Sequence, residues 1–254
     1  MLLHVPHASR IIPPEVRADL LPTDVALAAE LDEATDTATD EIAATALRHT
    51  GLRPTTVVNT ASRLVIDPER FADAEEPAGV YGRGAVYTRT CTGTPLRAEP
   101  YPHAEHLLDG YFRPYTDAVT AAVEERLRVC GRAVIIDPHS YPEKPSGFED
   151  PAAAPPAVYR HRPGPHPRLA GRRHPWRIRV PGRGRPDRRE HAVWRVLCTA
   201  AYYGRDARVV SVMIELRRDL YLIDPRTPDA ERVERLGRAL AALIDTATAR
   251  AVEV

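Results

Sequence analysis

The sequence predicts an α/β protein with a mixed central sheet flanked by helices. Short apolar runs at 2–5, 133–136 and 209–214 are rich in branched residues and typical of buried strands. Amphipathic segments at 102–129 and 228–252 predict helices that cover such a sheet. A chain of 254 residues can bury a full core, so we expect residues 1–254 to form a single domain.

Turn and cap signals separate the predicted elements. Thr23 or Asp24 can cap a helix that runs to about Thr50, where Gly51 ends it. Residues 79–96 are rich in glycine and predict a long loop or a ragged hairpin. Their glycines lack the spacing of a phosphate-binding loop before a helix, so that motif is rejected. In chain order the sequence predicts strand 2–5, helix 24–50, strand 56–59, helix 102–129, strands 133–136 and 209–214, and helix 228–252.

Composition excludes several classes of function. The formal net charge is +0, so the chain as a whole lacks the basic character of nucleic-acid-binding proteins. No segment approaches the roughly 20 apolar residues of a membrane span, and the N-terminus lacks a signal-peptide pattern. Cys91, Cys130 and Cys198 are odd in number and widely spaced, which favours reduced thiols in the cytoplasm.

Three predicted strands end in residues that can bind or activate water. His7 follows the first strand, His139 and Ser140 follow strand 133–136, and Glu215 closes strand 209–214. A single histidine in such a loop is more often an ordinary loop residue than a ligand. Ligands nevertheless bind at the carboxyl edge of open α/β sheets, and the pattern recurs three times. The sequence therefore predicts a metal-hydrolase site at this edge.

Other polar residues near these strand ends have two interpretations each. Asp32, Asp36 and Asp40 recur every four residues, which indicates either a solvated acidic helix face or a source of a further metal ligand. Arg63 could hold a substrate carboxylate or form a salt bridge with Asp67. A purely structural role for Glu215 would be a buried ion pair with Arg217 or Arg218.

Five motifs occur in a fixed order along the chain. They are Pro6-His7-Ala8-Ser9, Thr35-Asp36-Thr-Ala-Thr-Asp40-Glu-Ile, Asn59-Thr-Ala-Ser62-Arg63-Leu-Val-Ile-Asp67, Asp137-Pro-His139-Ser140 and Ile214-Glu-Leu-Arg-Arg-Asp-Leu-Tyr-Leu222. Together they resemble the N-formylglutamate amidohydrolase family, with its "PHxG/S" turn, "TDxxTDEL" helix, "NxxSRxxxD" segment, "DxHS" strand end and "IELRRDLYL" strand. Each motif is weak alone, but their order is specific, and the resemblance covers about residues 2–150 and 202–250.

The resemblance implies a fold similar to the zinc carboxypeptidases and one Zn²⁺ per chain, although another divalent metal could replace it. His7, His139 and a carboxylate of the 32–40 segment, preferably Asp36, would bind the metal, and Glu215 would be the general base. Arg63, Asn59, Ser140 and Arg217 would bind substrate. The implied reaction hydrolyses an N-acyl amino acid, N-formyl-L-glutamate being the family's named substrate, in the cytoplasm and in histidine degradation. It implies no organic cofactor and no nucleic-acid or membrane partner.

Residues 159–199 do not share the pattern of the rest. They are crowded with Arg, His, Pro and Gly and show no period of 2 or 3.6. One interpretation is a basic nucleic-acid-binding arm, and another is a disordered insert. A third, which we favour, is a compensated pair of frame shifts in the gene or its sequencing. In that case the chain could be an inactive member of the family.

The frame-shift hypothesis predicts the outcome of resequencing the gene. Shifted by one base, the codons of Tyr159-Arg-His-Arg-Pro163 can read Ile-Gly-Thr-Asp-Pro, and those of 190–199 can read Ser-Thr-Pro-Phe-Gly-Gly-Tyr-Tyr-Val-Pro. Both peptides restore versions of family segments, "IGTD" and "PFxG". We expect the nucleotide sequence to encode these peptides in the shifted frame. Codons that forbid them would contradict the hypothesis.

Overall fold

A computed structural model describes residues 1–73, 76–143, 202 and 206–252. The strands are β1 (Leu2–Val5), β2 (Thr55–Val58), β3 (Ala133–Tyr141), β4 (Val209–Arg217), β5 (Leu222–Asp224) and β6 (Thr227–Pro228). The helices are α1 (Pro14–Arg17), α2 (Asp24–Ala34), α3 (Thr39–His49), α4 (Ala104–Leu107), α5 (Arg113–Cys130) and α6 (Ala230–Val252). None of the helices within these residues is long and apolar enough to cross a membrane.

The central sheet has four described strands in the order β2-β1-β3-β4, and every neighbouring pair is parallel. The sequence predicts an α/β fold with a central sheet and flanking helices, which is confirmed. The predicted mixture of parallel and antiparallel strands does not apply to these four strands. Among the described strands, β5 and β6 pair antiparallel, in a separate ribbon. Because all four strands run the same way, their carboxyl ends share one edge.

Alternation along the strands sends successive side chains into two cores. Leu3 and Ile136 face a core built with helices α3 and α6. Leu2 and Ile135 face the opposite side, where Val119 and Val123 of α5 pack against them. The pleat of the strands thus makes three layers of helix, sheet and helix. Both faces of β1 and β3 are buried, which explains their continuous apolar sequence.

Strand β3 continues beyond the predicted stop at Asp137-Pro138. It pairs with β4 through Tyr141, whereas its pairing with β1 ends at Ile136. From Asp137 on, β4 is its one partner among the described strands, and a strand with a free edge tolerates proline. The expectation that His139 lies beyond the strand is therefore wrong, because His139 is part of the ladder.

The predicted helix from Thr23 to Thr50 is two helices. Thr23 caps α2 by accepting a hydrogen bond from the Ala26 amide, but α2 ends at Ala34 and α3 begins at Thr39. Between them Ala38 adopts a left-handed conformation with φ of 62°, which is costly for a residue with a Cβ atom. The break turns the intervening residues toward the sheet edge.

The remaining elements agree closely with expectation. Residues 104–130 are helical, with a π-helical turn at Leu108–Phe112. Residues 77–97 form a 3₁₀ turn and two isolated antiparallel bridges, in agreement with the ragged hairpin. Buried Arg97 holds this loop by donating to the carbonyl oxygens of Tyr87 and Leu64, each at 2.6 Å. The anomalous segment 159–199 lies outside the described residues.

We predict that Gly237→Ala lowers the free energy of unfolding. Gly237 of α6 faces α3 so closely that a Cβ atom would lie 2.3 Å from Cγ2 of Thr45. Overpacking of this kind typically costs about 1–3 kcal/mol, against a gain of about 1 kcal/mol in helix propensity. Urea unfolding measures the difference.

Gly110→Ala is the matched control, because an added Cβ there meets no atom within 4 Å. The control variant should be neutral or slightly stabilised. Equal stability of the two variants would show that the α3–α6 contact is looser than described.

Candidate metal centre

Two histidines and one aspartate meet at the carboxyl edge of the sheet. Nδ1 of His7 lies 3.2 Å from Nδ1 of His139, and Oδ2 of Asp36 lies 3.0 Å from the latter and 3.6 Å from the former. All three residues are buried. They come from the end of β1, from β3, and from the break between α2 and α3. The structure thus brings together the three residues that the sequence analysis selected as metal ligands.

The break between the helices explains why Asp36, rather than Asp32 or Asp40, lies beside the two histidines. A hydrogen bond from the Asp36 amide to the His7 carbonyl fixes the loop beside the first histidine. Asp32 stays on α2 and pairs with Arg10 and Arg226, while Asp40 is exposed on α3. The prediction of one shared helix face is wrong, because the helix is interrupted between them.

Carboxylates hold the outer nitrogen of each histidine. Nε2 of His7 donates to Oδ1 of Asp67 at 2.9 Å. Nε2 of His139 lies 3.0 Å from Oδ2 of Asp137 and 3.1 Å from Oε2 of Glu69, although neither contact has the angle of a hydrogen bond. A proton on Nε2 of each ring would leave the Nδ1 atoms, which face each other and Asp36, available to a cation.

This donor set fits a zinc ion. Bonds of about 2.0–2.1 Å in a tetrahedral site place neighbouring ligand atoms about 3.3 Å apart. The observed separations of 3.0, 3.2 and 3.6 Å bracket that value. Without a cation, the facing lone pairs and the Asp36 carboxylate would have no favourable arrangement except protonation of a ring. Two imidazoles and a carboxylate also leave a fourth position open.

The charges of the metal-free site support the same conclusion. Burial disfavours charge on His139, but the carboxylates of Asp137 and Glu69 outweigh it and raise its pKa well above the ordinary value. Burial would raise the pKa of Asp36, but hydrogen bonds from His139 and His7 outweigh it and hold that pKa well below its usual range. A proton on the ring thus stands where a metal ion would otherwise supply positive charge.

Glu215 lies beside this cluster. The parallel register pairs it directly with His139, and it faces the cavity. Burial, together with the carboxylates of Asp36, Glu69 and Asp137 and against the effect of His139, raises its pKa to about 7. Its Oε2 atom is buried without a hydrogen-bond partner among the described residues, and no ion pair with Arg217 or Arg218 is formed. Glu215 is thus poised as a proton acceptor.

A cavity of about 630 Å³ opens onto the cluster. This volume suits a small-molecule ligand. Its wall carries an unusual number of charged side chains, which include Arg63, Arg70, Arg83, Arg218, Glu33, Glu69 and Glu76. Guanidinium groups in a half-enclosed wall favour an anionic ligand.

The predicted substrate-binding residues have different fates. Arg63 donates to Oδ2 of Asp67 at 2.7 Å, and it also lines the cavity. Its position is therefore compatible both with the salt bridge and with binding of a substrate carboxylate. Ser140 lines the cavity and donates to Asp36. The side-chain amide of Asn59 is bonded to the Pro6 carbonyl and the Ala61 amide, and Asn59 does not line the cavity, so it holds the loop before His7.

Arg217, which the resemblance implied as a substrate-binding residue, lies outside the cavity. Its guanidinium pairs with Asp219 at 2.6 and 3.0 Å outside the cavity. Arg218 enters the site instead, because a 3₁₀ turn begins there and redirects the chain. It donates to Ser140, to the carbonyls of residues 32 and 33 at the end of α2, and lies 3.4 Å from Asp36.

Several residues of the site were not predicted from the sequence. Glu69, Arg70 and Arg83 lie in segments without a periodic pattern, and nothing local distinguishes them from surface residues. His4 carried a usable signal, since it is a histidine inside the apolar strand Leu2–Val5. With Glu69 and Asp137 it forms a second buried group of potential ligands.

We predict that Glu215→Gln stabilises the metal-free protein above pH 7. The folded state keeps a proton on Glu215 up to about pH 7, whereas a carboxyl in the unfolded chain loses it near 4.5. Stability therefore falls as pH rises between these values, by at most about 3 kcal/mol. Thermal unfolding of the metal-free proteins should show no difference at pH 4.5 and a widening gap up to pH 7.

Glu231→Gln, at an exposed glutamate paired with Arg235 on α6, is the matched control and should change stability little at any pH. A Glu215→Gln variant that is less stable than the wild type at pH 8 would contradict the assigned environment.

Comparison with known proteins places this arrangement in context. The family model described as N-formylglutamate amidohydrolase matches residues 1–222. The crystal structure of N-formylglutamate amidohydrolase from Ralstonia eutropha JMP134 is similar at 18% identity and a TM-score of 0.62, over 99% of this chain and 93% of that one. Gene product Atu2144 from Agrobacterium tumefaciens is similar at 18% identity and 0.55, over 100% and 90%. No curated protein matches.

Proposed function

The chain belongs to the N-formylglutamate amidohydrolase family, and we propose that it is a zinc-dependent hydrolase of N-acyl amino acids, with N-formyl-L-glutamate as substrate. One observation carries the proposal. The Nδ1 atoms of His7 and His139 and Oδ2 of Asp36 converge at tetrahedral spacing beside a cavity that Glu215 lines. The fold would be that of the zinc carboxypeptidases, and the free thiols of Cys91 and Cys130 agree with a cytoplasmic setting.

His7, Asp36 and His139 would hold the metal. A zinc ion bound there would polarise the amide carbonyl and lower the pKa of water toward neutrality. The carboxylates behind each histidine keep the protons on the outer nitrogens, so that the inner nitrogens stay available. Arg218 and Ser140 keep Oδ1 of Asp36 occupied, which leaves Oδ2 to face the histidines.

Glu215 would carry the proton. It takes a proton from the attacking water as the water oxygen bonds to the formyl carbon. It then delivers that proton to the amide nitrogen as the C–N bond breaks, which gives formate and glutamate. A pKa of about 7 suits both steps, because the same group must accept and return the proton near neutral pH.

The arginines of the cavity wall would hold the carboxylates of the substrate. Nε of Arg63 and Nε of Arg70 are buried and have no hydrogen-bond partner among the described residues. The Cζ atom of Arg83 lies 4.1 Å from the ring centroid of Tyr87. Its Nη1 atom lies 3.5 Å from Oε1 of Glu30. Arg218 is already fully engaged by Asp36, Ser140 and α2, so we assign it to the support of the metal ligand rather than to substrate.

Metal content and turnover test the proposal. We expect about one zinc per chain and hydrolysis of N-formyl-L-glutamate that a chelator abolishes. Asp36→Asn should lose the zinc, whereas the matched Asp40→Asn should keep both zinc and activity, since Asp40 is exposed. Glu215→Gln should keep the zinc and lose at least about 100-fold in kcat.

Two results would contradict the proposal. Folded wild-type protein without zinc would remove the metal site. Turnover that is indifferent to chelators would remove the mechanism. Zinc without turnover would instead support the alternative of an inactive family member, whose altered segment 159–199 is outside the described residues.

A further inference from the structure

A buried chain of polar side chains crosses the sheet from the metal centre to helix α5. Oδ2 of Asp137 lies 3.0 Å from Nε2 of His139, and Oδ1 of Asp137 lies 3.1 Å from Nδ1 of His4. Nε2 of His4 in turn lies 2.7 Å from the hydroxyl of Tyr115. His4 is 1% exposed and Asp137 0% exposed, so these contacts are shielded from bulk solvent.

Each contact of the chain restricts the next. Each oxygen of the Asp137 carboxyl faces a histidine nitrogen, with Oδ1 3.1 Å from Nδ1 of His4 and Oδ2 3.0 Å from Nε2 of His139. A carboxylate accepts but does not donate, so this geometry orients an N–H of His4 toward Oδ1. Nε2 of His4 lies 2.7 Å from the Tyr115 hydroxyl, which can donate to that nitrogen. With Asp137 fixed, its second oxygen faces Nε2 of His139 and favours the tautomer whose Nδ1 is free.

His4 could alternatively be a ligand of a second metal, since His4, Glu69 and Asp137 have suitable spacing. The contacts favour the positioning role. Both nitrogens of His4 already have complementary partners, the Asp137 carboxylate and the Tyr115 hydroxyl. The nitrogens of His7 and His139 that face each other lack such complementarity. Both nitrogens of His4 thus have an oxygen partner without a cation, whereas Nδ1 of His7 faces another histidine nitrogen.

We infer that His4 and Tyr115 are positioning residues for the metal centre, which act through Asp137 to hold His139 in its metal-binding tautomer and orientation. The inference rests on the proposed zinc site. Residues that orient a metal-ligating histidine typically contribute 10–100-fold to metal affinity. The role of Tyr115 is one contact further away, so its effect should be smaller.

Zinc affinity, measured by competition with a chromophoric chelator, tests the inference. We expect His4→Leu to weaken zinc binding at least about tenfold and Tyr115→Phe a few-fold. His4→Asn should recover part of the affinity, because its amide can donate from the position of Nδ1. Tyr111→Phe is the matched control, since the Tyr111 hydroxyl bonds exposed Glu15 and should leave affinity unchanged.

Two further measurements separate positioning from stability. Thermal unfolding of the metal-free variants should show His4→Leu less stable than the wild type, because it removes one partner of the buried Asp137 carboxyl, and zinc affinity is therefore compared below the melting temperature of each variant. Histidine ¹⁵N spectra of the metal-free protein should show a shift in the tautomer or protonation state of His139 in His4→Leu and in Tyr115→Phe, but not in Tyr111→Phe.

The outcomes distinguish the inference from the proposed function. Unchanged zinc affinity and unchanged His139 signals in folded His4→Leu would overturn the inference and leave the zinc site standing. Two zinc ions in the wild type, with one lost in His4→Leu, would overturn it in favour of a ligand role. A wild type without zinc would overturn the proposed function, and unchanged His139 spectra would then overturn the inference independently.

Discussion

The site depends on two histidine rings, those of His7 and His139, that face each other. Each ring has a carboxylate near its Nε2 atom, and the two Nδ1 atoms lie 3.2 Å apart. Such an arrangement is unfavourable without a positive charge between the rings. The carboxylates of Asp67 and Asp137 are themselves buried and depend on Arg63 and His4 for partners. The polar interior of the protein is thus organised around the two Nδ1 atoms and the Asp36 carboxylate that faces them.

The parallel sheet delivers the residues that create this arrangement. His7 follows β1, and the register of β3 with β4 sets His139 beside Glu215. The same pleat that buries Ile135 and Ile136 on opposite faces fixes which side chains reach the edge. Segments outside the sheet supply the rest, namely the break that holds Asp36 and the loops that carry Arg70 and Arg83. Of the three candidate metal ligands, His139 thus lies within a strand, whereas His7, Asp36 and much of the charged cavity wall lie on loops.

The outcome for each residue shows what sequence patterns can predict. The strands and the convergence of His7, His139 and Glu215 at one edge of the sheet could be predicted, because apolar runs have clear limits and these polar residues lie at or near their ends. The break between α2 and α3 could not, since Thr35 to Ala38 contain no proline or glycine and Ala38 takes a conformation unusual for its type. Arg217 and Arg218 could not be distinguished, because the choice depends on where a 3₁₀ turn begins. Contacts such as His4 with Tyr115 join distant segments and have no local signal.

The loop that carries Asp36 is held by residues from the far end of the chain. Arg218 donates to the end of α2, the Tyr221 hydroxyl donates to the Thr37 carbonyl, and Thr37 donates to the Pro225 carbonyl. During synthesis, His7, Asp36 and His139 all leave the ribosome well before these partners. A nascent chain therefore contains all three candidate metal ligands but not the contacts that order the loop of Asp36. If the proposed site binds a metal, loading is consequently expected late in biosynthesis, after strand β4 has been added.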